Sequence, residues 1–233
     1  MPTPTQLALF DLDHTLLPLD SDYQWAEFLA CTGRAGEREV ARQRNEDLMQ
    51  RYNCGALRAE EAAEFMLGLL TRADDAELAR WQHAFMREVI TPAILPAAQA
   101  LVQRHLQAGH LCAIVTATND FVTAPIARAF GIMHLIATVA ERRDGRYTGR
   151  IHGVPSFQAG KVTRVHAWLA DMGLSLAHFT RSYFYSDSTN DLPLLEAVTD
   201  PVAANPSAAL ADIAQTRGWP ILHVFERLQD TKS

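Results

Sequence analysis

The stretch Leu7–Leu17, "LALFDLDHTLL", decides the fold. Together with Gln6, its first residues form the apolar run "QLALF", which has the length of a buried strand. Two carboxylates, Asp11 and Asp13, follow directly with a single residue between them, and Thr15 stands just beyond. Carboxylates held so close repel each other and raise each other's pKa, so a fold keeps them where a cation or a reaction uses both. In doubly wound sheets ligands bind beyond the carboxyl ends of the strands, and a strand that ends in two carboxylates fits such a sheet.

The rest of the chain supplies such a sheet. From Ser21 to about Ile90, "SDYQWAEFLA", "EREVARQRNEDLMQRY", "RAEEAAEFMLGLL" and "DDAELARWQHAFMREVI" repeat apolar residues at helical spacing, with few β-branched residues and with Asp74 as an N-cap. This predicts an inserted all-helical cap domain over residues 18–91. "TPAILPAAQALVQRHLQAG" continues as a helix closed by Gly109. Then "HLCAIV" reads as strand, "DFVTAPIARAF" as helix, "MHLIATV" as strand, and "RRDGRYTGRIHG" as a hairpin around Asp-Gly. "QAGKVTRVHAWLADMG" predicts a helix, "RSYFYS" a strand, "DLPLLEAV" a short helix and "PVAA" a last short strand. Strands alternating with helices give an α/β fold: a doubly wound, Rossmann-like parallel sheet built from residues 1–17 and 92–233.

Bulk properties exclude several classes of function. At 233 residues, 48% hydrophobic and 21% charged, the chain has ordinary globular composition. A net charge of -6 argues against nucleic acid as a partner, and no apolar run approaches the roughly 20 residues of a membrane span. The N-terminus "MPTPTQ" lacks the charged-then-apolar order of a signal peptide. Cys31, Cys54 and Cys112 are odd in number and widely spaced, which reads as free thiols in the cytoplasm. No protein partner is inferred.

Four stretches place polar residues past predicted strand ends or at a helix start: Asp11/Asp13/Thr15, Thr116 to Asn119 in "IVTATN", Lys161 in "GK", and "SDSTND" from Ser186 to Asp191. They offer carboxylates for a hard cation, hydroxyl and backbone N–H groups for an anion, and one lysine, a set suited to a phosphoryl group with Mg²⁺. An EF-hand starting at Asp11 fails, because its sixth position is Leu16 where glycine is needed. A nucleotide-binding P-loop around Gly160-Lys161 fails too, with Pro155 at the first glycine and Val162 at the hydroxyl position. His105 and His110 lack metal-ligand spacing and are expected at the surface.

"DLDHT", "TAT", "GK" and "SDSTND" resemble, in order, the four motifs of the haloacid dehalogenase-like hydrolases, and the helical insert is similar to the cap of their phosphoserine phosphatase branch. Ser186 stands where glycine is commoner in that pattern. The resemblance implies a Mg²⁺-dependent phosphatase that hydrolyses a small phosphomonoester through an aspartyl-phosphate. It assigns Asp11 as nucleophile and Asp13 as proton donor and acceptor. Asp11, the backbone carbonyl of Asp13 and Asp187 would hold Mg²⁺, with Asp191 steadying them. Thr116, Ala117, Lys161 and Asn190 would hold the phosphoryl group. In the phosphoserine phosphatases a glutamate past the first motif meets the substrate amine, and Asp20 occupies that position here. Asp20, Asp22, Tyr23 and Trp25 would suit a cationic leaving group such as that of histidinol phosphate, whereas the alternative makes Tyr23 and Trp25 packing residues. Arg51 and Arg58 are candidate contacts to a substrate carboxylate. The alternatives are a phosphotransferase of the same family, a receiver-type signalling domain and a non-catalytic phosphate-binding protein. Receivers lack the second carboxylate and the long helical insert.

Overall fold

Leu7, Ala8, Leu9 and Phe10 of β1 (Gln6–Phe10) have no exposed surface, because this strand runs through the middle of the sheet. Leu7 and Leu9 pack on one face with Ala113, Val115 and Phe184, while Ala8 and Phe10 pack on the other with Ile114 and Tyr185. That is the two-residue alternation of a strand covered on both sides. The computed structural model describes residues 4–53 and 59–225, so Cys54 and Arg58 lie outside the described residues.

After β1 the described chain is helical until the next strand: α1 (Ser21–Cys31), α2 (Arg38–Asn53), α3 (Ala59–Gly68), α4 (Asp75–Phe85), α5 (Thr91–Ala93) and α6 (Pro96–Gln107). Asp74 caps α4 by accepting from Glu77 N–H at 2.8 Å. Then come β2 (Leu111–Asn119), α7 (Asp120–Ala129), β3 (His134–Arg143), β4 (Arg146–His152), α8 (Ala159–Asp171), β5 (Arg181–Ser186), α9 (Leu192–Leu195), β6 (Asp200–Ala204), α10 (Ala208–Arg217) and β7 (Ile221–Leu222). Among the described residues the sheet has the order β4-β3-β2-β1-β5-β6-β7, parallel except for β4. Strands are added in opposite directions on the two sides of β1, so the cleft at the carboxyl ends of β1 and β5 is the topological switch point.

The β3–β4 hairpin turns at Asp144 and Gly145, both with positive φ, as an Asp-Gly turn requires. Its second strand reaches the helical insert through Gly149, at φ +80°, where an added Cβ would stand 3.4 Å from the Cα of Gly68 in α3. The insert is also tied to the core by aromatic packing: Trp25 of α1 meets Phe85 of α4 at 5.2 Å and Phe121 of α7 at 5.6 Å between ring centroids. No helix among the described residues is long and apolar enough to cross a membrane.

Two expectations are corrected. "PVAA" is not the last strand: α10 follows it, capped by Ser207, and β7 extends the sheet through Ala203–Ile221 and Ala204–Leu222 pairing. His105 is not at the surface. It is 8% exposed, its Nε2 lies 2.8 Å from the Tyr185 hydroxyl, and its Nδ1 lies 2.8 Å from Nδ1 of His110. Burial, then the charges His110 and Arg104 can carry, lowers the His105 pKa to about 4.

Candidate active site

The carboxyl ends of β1, β2 and β5 and the start of α8 converge on a cavity of about 690 Å³ roofed by the first helices of the insert. Asp11 is fixed there because its N–H continues the ladder, donating to Tyr185 O at 2.9 Å. The chain then turns through His14 in the left-handed region, at φ +58°. Asn205 Nδ2 holds that turn, lying 3.1 Å from the carbonyls of both His14 and Thr15.

Lys161 enters from the first turn of α8 and is 3% exposed. Its ammonium lies 2.8 Å from Asp11 Oδ1 and 2.7 Å from Asp191 Oδ1. The close entry depends on Gly160, whose Cβ, if present, would lie 2.1 Å from the Pro155 carbonyl oxygen. Ser186, the residue that departs from the commoner glycine, donates its hydroxyl to Asp191 Oδ2 at 2.7 Å. Thr15 Oγ1 stands between two carboxylates, 3.4 Å from Asp11 Oδ2 and 3.2 Å from Asp187 Oδ1.

Burial dominates the electrostatics. It raises Asp11 to about 7 against the opposing pull of Lys161, and raises Asp187 to about 7 with help from the Asp11 charge. Asp13 rises to about 6, first through burial and then through the Asp20 charge. Its two oxygens are both engaged: Oδ1 accepts from Ser21 N–H and Oδ2 from the Thr118 hydroxyl, each at 2.8 Å. Thr118 lies in the stretch Thr116 to Asn119 singled out in the sequence, but its contact with Asp13 is not assigned there. The signal was present, since residues 116 and 118 share one face of a strand.

The β2–β3 register shifts between Val115 and Asn119, which takes the Thr116–Thr118 segment out of regular pairing where it borders the cavity. Thr116, Ala117, Asn190 and Lys161 all line the cavity with Asp11, Asp13 and Asp187. Gln158 Nε2 donates to Asn190 Oδ1 at 3.4 Å.

At the other end, Asp20, Asp22 and Tyr23 form an acidic wall beneath a roof of Leu48, Ala62, Ala63 and Met66. One oxygen of Asp20 caps α1, accepting from Tyr23 N–H at 2.8 Å. Trp25 does not line the cavity, and the expectation that it meets substrate is corrected: its ring is fully buried among Phe28, Phe85 and Phe121. Arg51 borders a separate depression with Gln43, Arg44 and Asp47.

Among the described residues no three His, Cys, Asp or Glu side chains form a metal cage. Mg²⁺ does not need one, since it binds through one or two carboxylates and keeps several waters. Asp11, Asp187 and Asp191 set three buried or half-buried carboxylates against the single ammonium of Lys161. That excess of negative charge on the cavity wall fits a hard cation.

The family model of haloacid dehalogenase-like hydrolases matches residues 8–196. The chain belongs to that family. This hydrolase is 43% identical over 218 residues to the histidinol-phosphatase of Neisseria meningitidis, covering 93% of this chain and 98% of that protein. It is 34% identical over 223 residues to phosphoserine phosphatase SerB1 of Mycobacterium tuberculosis, covering 93% and 70% of the two chains. A crystal structure of a Bordetella pertussis protein of unknown function is 67% identical, with a TM-score of 0.94 over 96% of this chain and 100% of that one.

Proposed function

We propose that this phosphatase hydrolyses a small phosphomonoester whose leaving group carries an amine and no carboxylate, with histidinol phosphate its foremost candidate. One observation carries the reading: Lys161 is the only Lys or Arg among the described residues lining the cavity, and Asp11 and Asp191 already hold it. The leaving-group end is bordered instead by Asp20 and Asp22. An ammonium gains charge-assisted hydrogen bonds there, whereas the carboxylate of phosphoserine meets like charge. The aromatic ring of Tyr23 and the apolar roof suit an imidazole. The named activity of the 43% identical Neisseria relative agrees with this choice.

Asp11 attacks phosphorus in line, and the bond from phosphorus to the leaving oxygen breaks as Asp13 gives that oxygen its proton. Asp13 then takes a proton from the water that attacks the aspartyl-phosphate, releasing phosphate and restoring Asp11. A pKa of about 6 suits both duties near neutral pH. Thr118 and Ser21 N–H keep Asp13 aimed. Lys161, the Thr116 hydroxyl and the Ala117 N–H hold the phosphoryl oxygens, and Asn190 orients them. Mg²⁺, when bound, offsets the negative charge of phosphate and carboxylates. Asp11, the Asp13 carbonyl and Asp187 are the residues to hold it, and Asp191 steadies that group through Lys161 and Ser186. Residues 18–91 act as the cap that shelters the leaving group from water. The free thiols of Cys31 and Cys112 agree with a reducing cytoplasm.

A phosphate-release panel with Mg²⁺ tests the reading. Histidinol phosphate is expected to exceed phosphoserine, sugar phosphates and nucleotides in kcat/KM, with no turnover after metal stripping. A higher kcat/KM for phosphoserine or a sugar phosphate overturns it.

A further inference from the structure

Building on the amine-bearing substrate just argued, we propose that Asp22 is the specificity residue that receives the ammonium, with Asn119 as its positioning residue and Asp20 as a helix cap. The two acids of the wall are differently employed. Asp20 occupies the N-cap of α1, and its Oδ1 accepts from Tyr23 N–H at 2.8 Å. That contact sets the carboxylate by the start of the helix. Asp22 lies within the first turn, so its side chain has no such backbone duty and instead borders the cavity.

The hydrogen-bond donors to Asp22 are neutral, and the charges beside it, Asp20 and Asp13, are like charges that together with burial hold its pKa well above the usual carboxylate range. Asn119 Nδ2 donates to its Oδ1 at 2.8 Å, and the Thr118 hydroxyl lies within reach. No Lys or Arg among the described cavity residues faces it, since Lys161 is held at the phosphoryl end. A half-buried carboxylate braced by neutral donors is oriented while its charge remains unmatched, and that is what an incoming ammonium requires.

Asn119 is itself locked. It is 3% exposed, its Oδ1 caps α7 by accepting from Val122 N–H at 3.1 Å, and its carbonyl accepts from the Thr123 hydroxyl at 2.8 Å. With the amide oxygen committed to the cap, the amide N–H group is the one that points to Asp22. Thr118 connects this wall to the reaction, because the hydroxyl near Asp22 donates to Asp13 Oδ2 at 2.8 Å. An ammonium at Asp22 therefore sits close to the leaving oxygen that Asp13 protonates. The substrate class that spans so short a gap is a 2-aminoalkyl phosphate, with the amine on the carbon next to the phosphate-bearing one.

The test is the preference for histidinol phosphate over the same ester lacking the amine, taken as a kcat/KM ratio within each variant. A ratio is insensitive to any fraction of misfolded protein. Wild type is expected to prefer the amine. Asp22→Asn should lose about 10–100-fold of that preference, mainly in KM, the worth of one charged hydrogen bond. Asn119→Ser keeps an oxygen for the α7 cap and should lose part of the preference. Asp20→Asn keeps a good N-cap but removes a neighbouring charge, and should lose much less of the preference than Asp22→Asn. Where a variant has no turnover, calorimetric binding of histidinol itself makes the same comparison. Preference that survives in Asp22→Asn, or that falls as far in Asp20→Asn, overturns this assignment alone. A wild type indifferent to the amine overturns the substrate reading and this assignment together.

Discussion

Replacing Lys161 by methionine keeps most of the side chain's volume and removes its charge. In the native protein that ammonium contacts Asp11 at 2.8 Å and Asp191 at 2.7 Å in a site closed to solvent. Removing one partner of a buried pair costs about 3–5 kcal/mol, because the remaining charge is left uncompensated. Here two carboxylates are orphaned, so the upper end of that range applies at pH 8 without metal. The cost must depend on pH. Asp11 is already raised to about 7 by burial, and without Lys161 it rises further, so lowering the pH lets a proton replace the missing cation. Urea unfolding of wild type and Lys161→Met in EDTA, at pH 8 and pH 5.5, measures the effect. The stability gap is expected to be large at pH 8 and to shrink by at least about 1 kcal/mol, the worth of nearly one pKa unit, at pH 5.5. A gap that is small at pH 8, or unchanged with pH, refutes the charge accounting of the site.

Asp13→Asn should slow turnover by about 10²–10⁴-fold with alkyl phosphates and much less with aryl phosphates, which leave without protonation. Equal losses with both esters would remove Asp13 from the proton-transfer role. His105 titrates near 4 when folded and near 6.5 when free, so its protonation favours unfolding. Stability present above pH 6.5 is therefore lost as pH falls towards 4, by at most about 3 kcal/mol. Urea unfolding of His105→Gln should show a shallower loss over that window. Trp25→Ala should destabilise by about 3–5 kcal/mol while leaving KM within a few-fold for the folded fraction. A selective KM effect with unchanged Tm would return Trp25 to the substrate site.

The polar positions at the cavity were readable because a parallel sheet brings strand ends together whatever lies between them. Asp11, Thr116 and Asp187 are far apart in sequence but stand at the carboxyl ends of β1, β2 and β5, and Lys161 joins them from the first turn of α8. Pairings that depend on side-chain orientation were not readable. Nothing in the sequence joins Asn119 to Asp22, 97 residues away, and an aspartate before a helix looks the same as cap or ligand until its partner is seen. Trp25 had two readings for the same reason, and the rings of Phe85 and Phe121 decided it. His105 carried an unread signal: with Ala98, Leu101 and Val102 it completes the buried stripe of α6 at helical spacing. β7 spans only two residues and exists through pairing with β6, leaving no periodicity to find.

The proposed mechanism requires Asp11 to become covalently phosphorylated. Mixing the Mg²⁺-loaded protein with histidinol phosphate, quenching in acid during the first turnover and mapping the digest by mass spectrometry tests this directly. The phosphoryl group is expected on the peptide bearing Asp11, and to be absent when Asp11→Asn is treated in the same way. A phosphoryl group on any other residue, or turnover retained by Asp11→Asn, would contradict it.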